Sequence, residues 1–314
     1  MFGAIEFYEA CRCAGIKPII GMEAYLARRS RTDRDPHLDS DAYHLLLLAE
    51  DDQGYHNLLR LATAAQLEGF YRYPRIDKAL LAEYSEGLIC TSGCLSAEIP
   101  DLLRVGRVSE ARTALEWYRE VFADRFYLEL QRHKGLDELE PINRQLLEWG
   151  EQLNLPVIAT SDAHYLRAED ADAHDALLCV QTGKTLDDPK RLRMSSHDYC
   201  LHSGVEMAEL WREVPTALAN TLEIAERCNV DLSFKGYCLP PFALSLGHTA
   251  ETYLRALCEE GMAQRYESMT SAVQERMNYE LVVIHNMGFD TYFLIVWDLL
   301  RHARENAIWF NVRG

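Results

Sequence analysis

Five short apolar runs recur along this chain, and each one holds, or leads into, a residue able to ligate a metal. Lys17 to Ala27 (KPIIGMEAYLA) contains Glu23, and Tyr43 to Glu50 (YHLLLLAE) opens on His44. Leu88 to Ser92 (LICTS) leads into Gly93 and Cys94, and Phe126 to Gln131 (FYLELQ) precedes His133. Pro156 to Thr160 (PVIAT) leads into Asp162 and His164. Aliphatic and β-branched runs of this length, bounded by Pro, Gly or polar residues, read as buried strands.

Between the runs the period changes to that of a helix. Phe2 to Gly15, Asp52 to Glu68, Ser109 to Phe122 and Leu136 to Leu153 are the helical segments, with Gly15 as a C-cap. Arg28 to Asp41 is a polar loop, and the aromatic-rich Gly69 to Pro74 reads as another. Strands alternating with helices predict βαβ units and a parallel sheet, open or closed into a barrel. In parallel barrels the chemistry sits where strands end. His44, at the start of its run, breaks that rule: either the boundary is shifted or the side chain faces the site from inside.

Each candidate alone has a plain structural explanation. Glu23 suits a salt bridge, His44 a satisfied core histidine, Cys94 a turn, His133 a solvated loop, and Asp162 an Asx turn with His164 after it. Their recurrence in successive units points instead to a mixed N/O/S metal cluster, with Zn²⁺ or Mn²⁺ favoured.

Composition bounds the function without naming it. With 48% hydrophobic and 26% charged residues the chain is globular rather than disordered. No apolar run reaches the roughly 18–20 residues of a membrane helix, and no secretory signal opens the sequence. The nine cysteines form no CxxC pair, so reduced thiols in the cytoplasm are expected. A net charge of −17 argues against a phosphate-backbone binder unaided, although a bound cation inverts the local field.

GMEAYLA (21–27), YHLLLLAED (43–51), CTSGCLSAEIP (90–100), FYLELQRH (126–133) and PVIATSDAHYL (156–166), together with FGAIEFYEACRCAGIKPIIG (2–21), resemble the PHP (polymerase and histidinol phosphatase) domain. The resemblance is to the form found at the N-terminus of bacterial replicative DNA polymerase III alpha subunits. It implies a distorted (β/α)7 barrel that binds up to three metal ions and hydrolyses phosphoesters. It also implies that Glu23, His44, Cys94, Asp162 and His164 are metal ligands. Retention of Cys94 resembles members whose PHP domain is a 3′–5′ proofreading exonuclease. His133 matches a recurrent family residue without being assigned as a ligand. Tyr73, where relatives often carry Lys, and Ala97, where they often carry Gly, depart from the pattern.

Further along, MSSHDYCLHS and PTALANTLEIAERCNVDL resemble the segment joining PHP to polymerase core. Thr249 to Gly314 resembles the mainly helical start of the palm, with Thr249 as a helix cap. The resemblance implies a PHP domain over 1–200, a linker over 201–248 and the palm start over 249–314. Arg313 and Gly314 would open a loop that holds the phosphates of the incoming nucleotide. The family's HxH and DHG motifs, and its palm aspartates with their Mg²⁺, would lie outside residues 1–314. The expectation is therefore a fragment: a barrel without its first two strands, with two open edges, weak or inactive as a phosphoesterase and unable to polymerise DNA alone. The parent would act in the cytoplasm on primer-template DNA and dNTPs. Its partners would be a proofreading exonuclease subunit, a sliding clamp and clamp-loader subunits, with no membrane. The alternatives are a stand-alone histidinol-phosphatase-like PHP phosphoesterase and a non-catalytic PHP module that docks a proofreading exonuclease.

Overall fold

The structure is a computed structural model that describes residues 1–233, 236, 239–244 and 246–311. It divides into two compact units, Met1–Leu232 and Ser233–Gly314.

In the first unit the order is α1 (Ala4–Cys13), β1 (Gly21–Ala27), β2 (Ala42–Ala49), α2 (Asp52–Leu67), β3 (Phe70–Tyr71), β4 (Tyr73–Ile76), α3 (Lys78–Glu83) and β5 (Leu88–Thr91). Then come α4 (Glu98–Arg104), α5 (Val108–Phe122), β6 (Phe126–Gln131), α6 (Leu139–Leu153), β7 (Val157–Thr160), α7 (Ala171–Thr182), α8 (Gly204–Leu210) and α9 (Pro215–Arg227). The strands form one seven-stranded sheet in the order β3-β4-β1-β2-β5-β6-β7.

The sheet is mixed rather than wholly parallel. β1 pairs antiparallel with β2 and parallel with β4; β2 pairs antiparallel with β5; β5, β6 and β7 run parallel. Five strands therefore share a direction, and β2 and β3 oppose them. The Arg28 to Asp41 loop contains no crossover helix, so β2 can return beside β1 only in the reverse sense. The segment expected as an aromatic loop folds into the small β3–β4 ribbon, turned at Arg72 with φ 60°.

Both faces of the central strands are covered, which is why β5 and β6 are buried at every position. Leu45, Leu47, Cys90, Leu128 and Leu130 pack with Leu58, Leu61, Leu115, Phe122 and Leu146 of α2, α5 and α6. Ile89, Tyr127 and Ile158 point the other way and meet Ile224 and Cys228 at and just beyond α9. Trp211 is fully buried in the larger core, under the guanidinium of Arg132 at 4.2 Å. Residues 204–227 are thus packed parts of the first unit.

Arg75, on β4, is also fully buried. It donates to the carbonyls of Gly69, Asp39, Arg31 and Asp33 at 3.2, 3.0, 3.1 and 2.7 Å, which fixes the loop between β1 and β2.

The second unit contains α10 (Ala250–Arg265), α11 (Ser271–Asn286) and α12 (Asp290–Glu305) around Leu254, Met277, Leu281 and Leu294. Thr249 caps α10 by accepting from the Thr252 amide, as its sequence indicates. No described helix is long and apolar enough to cross a membrane.

Truncating Trp211 to Ala should cost the first unit about 3–5 kcal/mol, read as a lower denaturation midpoint in urea. An unchanged midpoint would show that Trp211 adds nothing to that core.

Candidate metal centre

The reversed direction of β2 resolves the position of His44. Because β2 runs against β1 and β5, its first residues lie at the end where those strands finish. His44 is registered opposite Tyr25, and Glu23 opposite Leu46, so Glu23 and His44 are diagonal neighbours on one face. The His44 amide donates to the Ser96 carbonyl at 3.1 Å, tying the start of β2 to the loop after β5.

That loop turns at Gly93, with φ 78°, where a Cβ would sit 2.5 Å from the Ala97 Cβ. Only glycine fits both the conformation and the space. The turn presents the Cys94 Sγ 3.9 Å from His44 Nδ1, while Glu23 Oε1 lies 2.5 Å from the same nitrogen. One donor atom from each of Glu23, His44 and Cys94 lies within 4.8 Å of the others. The Cys94 sulfur first, then the Glu23 carboxylate, stabilise the protonated imidazole and push the His44 pKa up to about 10.

Asp162 and His164 follow β7 as the sequence indicates, but as a separate pair. Asp162 adopts φ 44°, and its Oδ1 lies 3.5 Å from His164 Nε2. The His164 pKa is raised, first by hydrogen bonding to Asp162; the Glu23 carboxylate adds to the rise and His44 opposes it. The pair is therefore electrostatically coupled to the triad, although it lies outside the three-residue group. The His164 amide donates to the Tyr199 carbonyl at 2.8 Å, which anchors the turn.

His133 is not the solvated loop residue its sequence context suggests. It is 8% exposed, with its ring 4.3 Å from that of Tyr199. The His164 ring lies edge-on to Tyr199 at 5.5 Å, so one tyrosine contacts both imidazoles. Tyr199, in the segment expected to resemble the join between PHP and polymerase core, carries no sequence signal of a site residue. Arg313 and Gly314, the candidate nucleotide-phosphate residues, lie outside the described residues.

Glu129 is the other residue the sequence conceals. It sits in the middle of β6 and is 6% exposed. Its carboxylate accepts from Thr91 Oγ1 at 2.5 Å, Thr160 Oγ1 at 2.6 Å and Gln131 Nε2 at 2.9 Å. Burial raises its pKa against the lowering effect of these donors. Thr91 and Thr160 are the last residues of β5 and β7, immediately before the turns that carry Cys94 and Asp162. A lone charged residue in a buried run was the signal that could have identified it.

A cavity of about 280 Å³ opens beside His44, lined in part by Arg28, Asp41, Asp101, Arg104 and Glu138. Arg28 is paired with Asp41 at 3.0 Å and Arg104 with Asp101, so its charges are largely balanced.

Comparison with known proteins places the chain in a family. The PHP domain family matches residues 1–133, which include Glu23, His44 and Cys94. A second family, the bacterial DNA polymerase III alpha NTPase domain, matches residues 252–314. The chain is 44% identical to the DNA polymerase III subunit alpha of Borreliella burgdorferi, with 98% of this chain and 27% of that protein aligned. It is 42% identical to the subunit alpha of Treponema pallidum, with 98% and 26% aligned. With the Thermus aquaticus protein it is 38% identical, with 98% and 30% aligned. The chain thus spans less than a third of the length of these relatives. Over the segment it spans, the chain belongs to the bacterial DNA polymerase III alpha family.

Proposed function

We propose that this chain works within a replicative DNA polymerase alpha subunit, with its first unit as a metal-binding phosphoesterase-type domain. The convergence of Glu23, His44 and Cys94 at one end of the sheet carries this reading. The donor set fits a divalent ion: a carboxylate oxygen, an imidazole nitrogen and a thiol sulfur suit Zn²⁺, with Mn²⁺ the harder alternative. A metal held there would supply Lewis-acid polarisation of a phosphoryl oxygen. Asp162 orients His164 and raises its affinity for a proton, placing a proton-holding imidazole beside the triad.

A distorted barrel of the PHP type fits the same observations. β1 and β7 are separated by three strands, about 19 Å across a flat sheet, yet His164 feels the charges of Glu23 and His44. Strong curvature of the sheet accounts for that coupling. The domain reading follows: residues 1–200 form the PHP domain. Residues 201–248 connect it to the polymerase core, their earlier part packed on the sheet. Residues 249–314 begin the palm. The parent would extend primer-template DNA from dNTPs with Mg²⁺, and the PHP domain would remove a mispaired 3′ end. The proofreading exonuclease, clamp and clamp-loader subunits are the partners this reading implies.

With three donors in this cluster and Asp162 and His164 outside it, the cluster should bind a divalent ion yet hydrolyse poorly. Calorimetric titration with Zn²⁺ should show His44→Ala losing at least about a hundredfold in affinity at this cluster relative to the unaltered chain, since a direct ligand is lost. Equal binding by both would refute the assignment. Release of nucleotide from a mispaired 3′ primer end in Mn²⁺ should be weak or absent. Vigorous turnover removed by Asp162→Ala would contradict this.

Metal binding here must expel the proton that His44 retains up to about pH 10. Zn²⁺ affinity should therefore climb with pH, by about tenfold per unit for each proton displaced. For folding of the metal-free chain the sign is opposite. The raised His44 pKa contributes stability that is fully present below the ordinary 6.5 and is lost as pH rises through about 10. Zn²⁺ titrations at several pH values would check the first trend. Flat affinity across pH 6 to 8 would exclude His44 as the ligand.

A further inference from the structure

The segment Asp198–Tyr199–Cys200–Leu201–His202 forms a second donor cluster that the reading above does not use. One donor atom from each of Asp198, Cys200 and His202 lies within 4.8 Å of the others, giving oxygen, sulfur and nitrogen together. Asp198 Oδ1 and His202 Nε2 are 3.5 Å apart although the residues are four apart in sequence. Four residues of extended strand would separate their backbones by about 13 Å. The chain must therefore curl around Cys200 to bring them together.

The surroundings hold this curl in place. Cys200 bridges Tyr165 in a parallel pair, and the Leu201 amide donates to the Tyr165 carbonyl at 3.0 Å. Asp198 Oδ2 accepts from the Lys134 amide at 3.2 Å, and Ser196 Oγ donates to the Lys134 carbonyl at 2.8 Å. One carboxylate oxygen thus has a fixed partner, and the other faces His202. Cys200 is 9% exposed, and the side chains of Asp198 and His202 are 16% and 15% exposed, so this is no solvated acidic patch. His202 Nδ1 is buried without a hydrogen-bond partner. The intervening Tyr199 turns its ring to His133 and His164 instead.

We propose that Asp198, Cys200 and His202 bind a zinc ion, separate from the Glu23–His44–Cys94 cluster. Three protein ligands of O, S and N type with one open position is a recognised zinc arrangement. On binding, the Cys200 S–H bond breaks, the sulfur bonds to zinc, and the proton leaves to solvent. The bound ion would brace the segment whose Tyr199 carbonyl anchors His164, so its role is to position that turn. Its donors are its own, and its metal binding is independent of the function proposed for the first cluster.

The full chain carrying Cys94→Ser, stripped with chelator and reloaded with Co²⁺, tests this. That substitution removes the thiol of the first cluster, so a near-ultraviolet thiolate-to-cobalt band in the variant must come from elsewhere. The expected result is that the band persists, and that adding Cys200→Ser removes it together with about one bound ion per chain. Absence of the band in the Cys94→Ser chain would overturn the proposal. Its persistence in the double variant would do the same, by placing the thiolate elsewhere. Should Cys200→Ser unfold by circular dichroism, His202→Gln in the Cys94→Ser background replaces it. There Co²⁺ affinity should fall by more than the roughly tenfold that loss of an outer-shell partner costs, and unchanged affinity overturns the site.

Discussion

A single buried carboxylate fixes the strand ends on which the candidate site is built. Glu129 lies between β5 and β7, and all three of its recorded side-chain partners are neutral donors rather than cations. Each donor lost from such a group costs about 1–3 kcal/mol, so the terminal threonines of both neighbouring strands are held in register with it. The turns bearing Cys94 and Asp162 depart from those threonines. The ligand positions therefore depend on a polar contact inside the sheet as much as on apolar packing around it.

The second constraint is topological. Had β2 followed a helical crossover, it would run parallel to β1 and carry His44 to the opposite end of the sheet, away from Cys94. A loop of charged residues, bound to the buried Arg75 through three backbone carbonyls, makes the reversal instead. Arg75 touches none of the candidate ligands, yet it fixes the loop that sets which end of β2 faces them.

Much of this was legible in the sequence, and the gaps have physical causes. The buried strands were visible because runs covered on both faces are continuously apolar. Glu23, His44 and Cys94 were visible because they punctuate those runs. The direction of β2 was not, since hydrophobic period reports burial and carries no sign for strand polarity. The β3–β4 ribbon was hidden by its shortness. His133 read as solvated because the residue that buries it, Tyr199, is 66 positions away, and no local pattern encodes a ring stacked from that distance. Residues 204–227 read as a connector because the core position of Trp211 depends on the sheet it meets.

The left-handed backbone at Asp162 separates two demands that the side chain meets together. For most L residues that conformation costs roughly 1–2 kcal/mol, and Asn and Asp are the non-glycine residues that adopt it most readily. Shape alone would thus accept an amide as readily as an acid. What the carboxylate adds is a negative charge 3.5 Å from an imidazole. Chain geometry and proton affinity at this turn can consequently be varied independently, through a side chain that differs from the present one by an amide nitrogen in place of one carboxylate oxygen.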